Sequence, residues 1–294
     1  MLPQLERLIL KDCVSLVEVH ESIGNLETKL IVLNLKDCRN LRKLPKDICM
    51  LKVLETLVIS GCSNLDEFPK EMRKMESLKV FRADKIAMSP SASTTSKEGL
   101  WPELISTWVT RPRKCPKLSW DSLPCSIVSL SLSDCNLHDY SFPMDFSNLP
   151  LLKKLDLSRN PLCSLPDCIR GLTSLEMLEM FSCTSLRELI DLPGITDLRL
   201  GGCSSLEKIT FQSKVYKAPA FFVIGCKKLV QIEGRFKLET IGNLDNEVMK
   251  SLGMYQYDLK ALNSFEVKMF NVRTELKGPT QVLSLSLSLS LSMF

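Results

Sequence analysis

Leucine recurs along this chain at a fixed spacing, with a cysteine at one set place in each unit. The first three units read Leu8, Leu10, Cys13, Leu16; Leu33, Leu35, Cys38, Leu41; and Leu57, Ile59, Cys62, Leu65. The LxLxxCxxL core returns at Leu130, Leu132, Cys135; at Leu178, Met180, Cys183, Leu186; at Leu198, Leu200, Cys203, Leu206; and more loosely at Phe221, Val223, Cys226, Leu229. One further unit carries Asn160 at the cysteine place. The steps between these markers are 25, 24, 73, 25, 23, 20 and 23 residues, and 73 is close to three periods, so about three units between Cys62 and Cys135 are expected to have lost the pattern. A repeat of this kind restricts the fold to a stack of like units, since no unit can bury its apolar face alone.

Side chains alternate along a strand, so the two leucines of LxL enter the interior while their neighbours face solvent. The chain must turn after the strand, and a small buried Cys or Asn can satisfy part of the backbone at that bend. Leu-Pro pairs such as Leu44-Pro45 and Leu165-Pro166 then close the turn and begin an outer wall. A period in the low twenties with this core is the leucine-rich-repeat pattern. The expected fold class is an α/β leucine-rich-repeat solenoid, a curved horseshoe with short parallel strands on the concave face and loops or short helices on the convex one.

The outward positions of each strand are then the candidate protein-binding residues. They are Arg7, Ile9 and Lys11; Val32, Asn34 and Lys36; Thr56, Val58 and Ser60; Ser129, Ser131 and Ser133; Lys154, Asp156 and Ser158; Met177, Glu179 and Phe181; Asp197 and Arg199; Phe222 and Ile224. The first two rows are basic, and Met177, Phe181, Phe222 and Ile224 give an apolar patch beside charge, a composition common at protein interfaces.

Net charge is +4 from 38 basic and 34 acidic side chains, too balanced for a nucleic-acid footprint, and aromatic residues at 6% give little base-stacking surface. Seven of the 12 cysteines occupy the repeat position, which makes them small buried hydrophobes of a reducing compartment and not a disulfide framework. No pair has CxxC spacing and the two histidines, His20 and His138, fall in different units, so no metal site is expected. Asn-x-Ser/Thr acceptors are absent as well, and together these features point to the cytoplasm or nucleus. Catalytic signatures are missing: there is no GxxxxGK[ST], GxSxG, HExxH or GxGxxG. The chain therefore reads as non-enzymatic, with no cofactor, and no apolar run of about eighteen residues offers a membrane span.

Met1 falls directly into a repeat, since Leu2, Leu5, Leu8 and Leu10 already keep register, so the array is expected to extend upstream. The array runs over residues 1–232, interrupted at 84–122 by an irregular insertion. The insertion contains a Ser/Thr-rich piece, an amphipathic WPELISTWV with Trp101, Leu104, Ile105 and Trp108 on one side, and a basic run at Arg111, Arg113, Lys114 and Lys117. Residues 233–277 hold an acidic amphipathic stretch, Asn246 to Leu252, and a possible strand, Phe265 to Phe270, and look like an incomplete further module. The tail, 278–294, alternates Leu and Ser from Leu283 to Ser292. A CT dinucleotide repeat read in frame would encode that alternation, and it is also the pattern of a half-buried strand.

The units LKDCVSLVEVHESIGNLE, LKDCRNLRKLPKDICML and ISGCSNLDEFPKEM resemble the leucine-rich repeats of plant intracellular immune receptors of the TIR-NB-LRR class, of the TMV resistance protein N-like type. SLPCSIVSLSLSDCNLHDYSFPMDFSNLPLLKKLDLSRN is similar to that family's later repeats, and IEGRFKLETI resembles the start of its post-repeat, jelly-roll-like domain. The likeness covers about residues 1 to 277. It implies a surface for effector recognition and autoinhibition, with a pathogen effector or the receptor's own nucleotide-binding domain as partner. The family's TIR and nucleotide-binding motifs have no counterpart here, so NADase activity and nucleotide binding are not implied. Two other readings stay open: a truncated product without a ligand of its own, and an unrelated repeat adaptor.

Overall fold

Each repeat core forms one short parallel strand, and the buried pair within it is what stacks. The computed structural model describes residues 4–27, 29–65, 68–86, 88, 118–212, 220–229, 231–232, 236–240, 269–274 and 284–289. The chain divides into two units: residues 1–160 with 166–174, and residues 161–165 with 175–294.

In the first unit the strands are β1 (Arg7–Ile9), β2 (Val32–Asn34), β3 (Thr56–Val58), β4 (Val80–Arg82), β5 (Ser129–Ser131) and β6 (Lys154–Asp156), paired in parallel and in chain order. Register is uniform, with Leu33 opposite Leu57, Leu57 opposite Phe81, Phe81 opposite Leu130 and Leu130 opposite Leu155. These five side chains are at most 1% exposed, so one unbroken apolar lane runs beneath the strands. A second lane of Leu35, Ile59, Ala83, Leu132 and Leu157 is fully buried beside it. On the outer side the described residues carry 3-10 turns over Glu21–Leu26, Lys46–Met50, Lys70–Lys74, Trp120–Ser122 and Asp139–Ser141, and lastly a short α-helix, α1 (Asp167–Arg170). Pro45, Pro69 and Pro166 precede three of these elements with φ of −64°, −59° and −59°, the ring fixing the entry angle that the Leu-Pro pairs announced.

The 73-residue step hides fewer lapsed repeats than its length suggests. β4 pairs with β3 on one side and β5 on the other, so among the described residues one repeat strand, β4, stands between those of the Cys62 and Cys135 repeats. Its repeat is intact, with Leu78, Phe81 and Ala83 buried and Ile86 at the cysteine place, 24 residues after Cys62. The extra length sits in one excursion between β4 and β5. The Ser/Thr-rich piece, the Trp101–Trp108 stretch and the basic run Arg111 to Lys117 lie outside the described residues. At the end of the excursion Trp120 is fully buried, donates its indole N–H to the Ser141 carbonyl at 2.7 Å and packs at a tilt against Phe142 and Phe146 with ring centroids 5.2 and 5.0 Å away.

The second unit differs on its outer side. Its strands are β7 (Met177–Phe181), β8 (Glu188–Leu192), β9 (Asp197–Gly201), β10 (Lys208–Phe211), β11 (Ala220–Ile224), β12 (Gln231–Ile232), β13 (Phe236–Thr240), β14 (Met269–Thr274) and β15 (Ser284–Leu289). β7, β9 and β11 continue the parallel repeat pattern, while β8, β10 and β12 form a second parallel sheet where helical turns stood before. For β8 the cause is spacing: Cys203 follows Cys183 by only 20 residues, against 25 from Cys13 to Cys38, and an extended segment crosses the outer side with fewer residues than a helical turn. β15 pairs in parallel with β11, and β14 and β13 follow antiparallel, so the Leu-Ser alternation forms a strand. The expected strand Phe265 to Phe270 overlaps β14 at its last two residues, and Asn246 to Leu252 lies outside the described residues.

Candidate functional site

The outward positions line up in lanes because the register is uniform. In the first unit one lane runs Arg7, Val32, Thr56, Val80, Ser129, Lys154, and the next runs Ile9, Asn34, Val58, Arg82, Ser131, Asp156. Residues just past each strand give a third series, Lys11, Lys36, Ser60, Asp84, Ser133 and Ser158. Val80, Arg82 and Asp84 are the members that sequence reasoning missed. Ala83 and Ile86, standing where a leucine and a cysteine are expected, carried the signal for them.

Arg7, Ile9, Lys11, Lys36 and Lys154 are exposed, as the alternation requires, and Asn34 and Asp156 are half-buried. Two expected outward residues are shielded instead, Ser60 at 4% and Ser158 at 6% exposure, because both are drawn into the bonding around the turns. Lys11 pairs with Asp12 at 3.5 Å, both side chains well exposed, a geometry that contributes little energy. Asn34 Oδ1 accepts from the Lys36 N–H at 3.0 Å and so braces its own turn. Among the described residues Arg7, Lys36 and Arg82 make no ion pair, leaving three uncompensated cations on β1 to β4. Asp156 joins a different set: Ser131 Oγ lies 3.2 Å from its Oδ2 and also bonds Asp84 Oδ1, while Ser60 Oγ donates to Asp84 Oδ2 at 2.8 Å.

In the second unit Glu179, Asp197 and Arg199 are brought together. Arg199 donates from Nη1 to Glu179 Oε1 at 2.9 Å, from Nη2 to Asp197 Oδ2 at 2.8 Å and from Nε to both Asp197 oxygens at 3.1 Å. Burial works against the guanidinium charge, but the bonds and charge of Asp197 and then of Glu179 outweigh it and raise its pKa. These charges satisfy one another. Met177 and Phe181, half-buried on the same strand, flank them. Phe222 and Ile224 stand opposite Arg199 and Gly201 in the backbone register, and their side chains lie outside the described residues.

The marker side chains tie the repeats together beneath this face. The Cys38, Cys62 and Cys135 thiols donate to the Leu10, Leu35 and Ala83 carbonyls at 3.0, 3.1 and 3.2 Å, and Cys203 to Met180 at 3.0 Å. Each partner belongs to the preceding repeat, so the marker satisfies its neighbour's bend. Asn160 does this with both ends of its amide, donating to the Leu132 carbonyl at 2.9 Å and accepting from the Cys135 and Leu137 N–H at 3.0 Å, and it also donates to Leu157 of its own repeat at 2.9 Å. Burial pushes the Cys62 and Cys135 thiols up to about 12, which removes them from thiolate chemistry near neutral pH. No cluster of three or more metal-ligating side chains occurs among the described residues, and none of their helices is long and apolar enough to cross a membrane.

The Leucine Rich Repeat family model matches residues 151–172, which hold β6 and α1. The chain is 35% identical over 178 residues to TMV resistance protein N of Nicotiana glutinosa, covering 60% of this chain and 15% of that protein. It is 27% identical over 277 residues to Disease resistance protein RPS4B of Arabidopsis thaliana, covering 94% of this chain and 18% of that one. The chain thus spans less than a fifth of either relative's length. Among solved structures, Listeria monocytogenes InlP aligns with 99% of this chain and 88% of its own at 13% identity and a TM-score of 0.39. The chain is a leucine-rich-repeat protein homologous to plant disease resistance proteins of the TMV resistance protein N type.

Proposed function

We propose that this chain is the protein-recognition and autoinhibition part of an intracellular plant immune receptor, non-enzymatic and acting in the cytoplasm or nucleus. In this reading residues 1–232 form the recognition array, 233–277 open a post-repeat module and 278–294 are a separate tail. The partner is a pathogen effector or the receptor's own nucleotide-binding domain, held on the outward strand face. The observation that carries this is the contrast between the lanes. Inward positions are apolar in nearly every repeat, whereas outward ones differ from strand to strand, with uncompensated Arg7, Lys36 and Arg82 on one unit and Met177 and Phe181 around the closed Glu179–Arg199–Asp197 set on the other. Core packing explains the first kind of position and leaves the second to be explained by contact with something else.

The test is binding of the full chain to a nucleotide-binding domain from a homologous receptor and to candidate effectors, followed by biolayer interferometry. Arg7→Glu with Lys36→Glu, and separately Met177→Ala with Phe181→Ala, should each weaken the productive complex at least about tenfold, with unchanged circular dichroism melting. A complex indifferent to both pairs would place the interface elsewhere.

A further inference from the structure

Several cations of the first unit are paired across the stack, with the acid in one repeat and the base in the next. Lys43 lies 3.7 Å from Glu18, Lys52 3.2 Å from Glu27 and Lys79 2.6 Å from Glu55. Neighbouring strands stand about 4.8 Å apart, so stacking brings such partners within reach wherever the sequence supplies them. On the outward face of β1 to β4 it does not supply them. Arg7, Lys36 and Arg82 are exposed there. The register sets Arg7 beside Val32, and Arg82 between Val58 and Ser131. Lys36, just past β2, stands between Lys11 and Ser60. Of the acids close in the chain, Asp12 pairs with Lys11 at 3.5 Å and Asp84 is held by Ser60, Ser131 and Ser133.

Aliphatic side chains lie among these cations. Ile9 is 53% exposed, and Val58 and Val80 are half-buried. None of the outward residues of β1 to β4 is aromatic, so a nucleic acid would find phosphate contacts here but no ring on which to stack a base. We propose that the outward face of β1 to β4 docks an acidic, apolar-faced protein segment, with carboxylates on Arg7, Lys36 and Arg82 and aliphatic side chains on Ile9, Val58 and Val80. That assignment rests on the strand face being the recognition surface, and it adds the chemistry of what is recognised. Three strand spacings separate Arg7 from Arg82, roughly 14 Å, a span that about three turns of helix cover. Charge fixes the orientation and speeds the encounter, while the aliphatic contacts hold the segment once it is seated.

The experiment is fluorescence anisotropy with the full chain and a synthetic helical peptide that carries Glu and Leu on one face and Gln on the other. The peptide should bind, and bind more weakly as salt is raised. Replacing its Leu by Gln should cost at least about tenfold, and so should Arg7→Glu with Arg82→Glu in the protein. Lys43→Glu with Lys52→Glu makes the same change in net charge away from these positions and should leave binding unaltered. Absence of peptide binding, equal losses from the two double variants, or tighter binding of single-stranded DNA than of the peptide would each overturn the proposal. If Arg7→Glu with Arg82→Glu fails to fold, Arg7→Gln with Arg82→Gln decides, its loss of binding being expected and its indifference overturning the idea. Should the peptide stay unbound while a receptor nucleotide-binding domain binds through Met177 and Phe181, the recognition face stands and this partner chemistry falls.

Discussion

The residue before each marker position has left-handed backbone. Asp12, Asp37, Gly61, Lys85, Asp134, Arg159, Ser182, Gly202 and Gly225 all have positive φ, between 56° and 78°, whatever their side chain. That conformation turns the chain out of the strand and aims the next side chain inward, and it costs a non-glycine residue on the order of 1 kcal/mol. Arg159→Gly should therefore raise unfolding free energy by roughly 0.5 to 1 kcal/mol, part of the relief being offset by the freer unfolded chain. Gly61→Ala should lower it, since an added Cβ at φ +78° would stand 2.2 Å from Asp37 Oδ1; urea denaturation reads both. Thiol labelling at mildly alkaline pH should modify exposed Cys125 rapidly and leave Cys62 and Cys135 unmodified until the chain unfolds.

At the scale of the element, a strand of three residues has almost no stability of its own, and the apolar lanes beneath it hold it in place. Leu155, 1% exposed in β6 and in register with Leu130, should cost roughly 2 to 5 kcal/mol when replaced by alanine. An effect under about 0.5 kcal/mol, the range of ordinary surface changes, would contradict the register. Lys11→Glu, exposed just past β1, should by the same reasoning stay within about 0.5 kcal/mol of the wild type. The strands and their inward residues were legible in the sequence because period two and the LxLxxC spacing are local. β4 was legible only in part: a fourth unit opens at Leu78 and Phe81 and then loses the pattern, because Ala83 and Ile86 replace the expected leucine and cysteine, and pairing with β3 and β5 shows that the repeat goes on. The second sheet of β8, β10 and β12 was not legible: the shortened step from Cys183 to Cys203 accounts for β8, and the pairing of β10 with β8 and β12 is a contact between repeats.

At the scale of the whole molecule, charge connects stability to pH. Asp156 has a folded-state pKa raised by burial, so its contribution to stability is fully present below the unfolded-state value and is lost as pH rises through the folded-state value. Denaturation midpoints measured across that range should fall with rising pH in the wild-type chain, and Asp156→Asn should flatten that part of the profile. The net charge of +4 conceals an uneven surface, with cations uncompensated on β1 to β4 and an ion set closed on itself at β7 and β9. The candidate contact residues were legible as outward positions, but their pairing state was not, since Arg199 meets Glu179 from a strand 20 residues away.

The sequence by itself determined the fold class, the inward lanes, the place of the marker cysteines and the likeness to plant resistance proteins, because all of these are written in a spacing that each repeat obeys locally. Only the tertiary structure decided that β4 joins β3 to β5, that the outer side changes from helical turns to strands, that the Cys38 thiol bonds the backbone of the repeat before it, and that Asp84 and Asp156 meet across Ser131. Each of these is a contact between repeats, set by register and by the distance between stacked strands, and residues that far apart in the chain carry no local pattern to announce it.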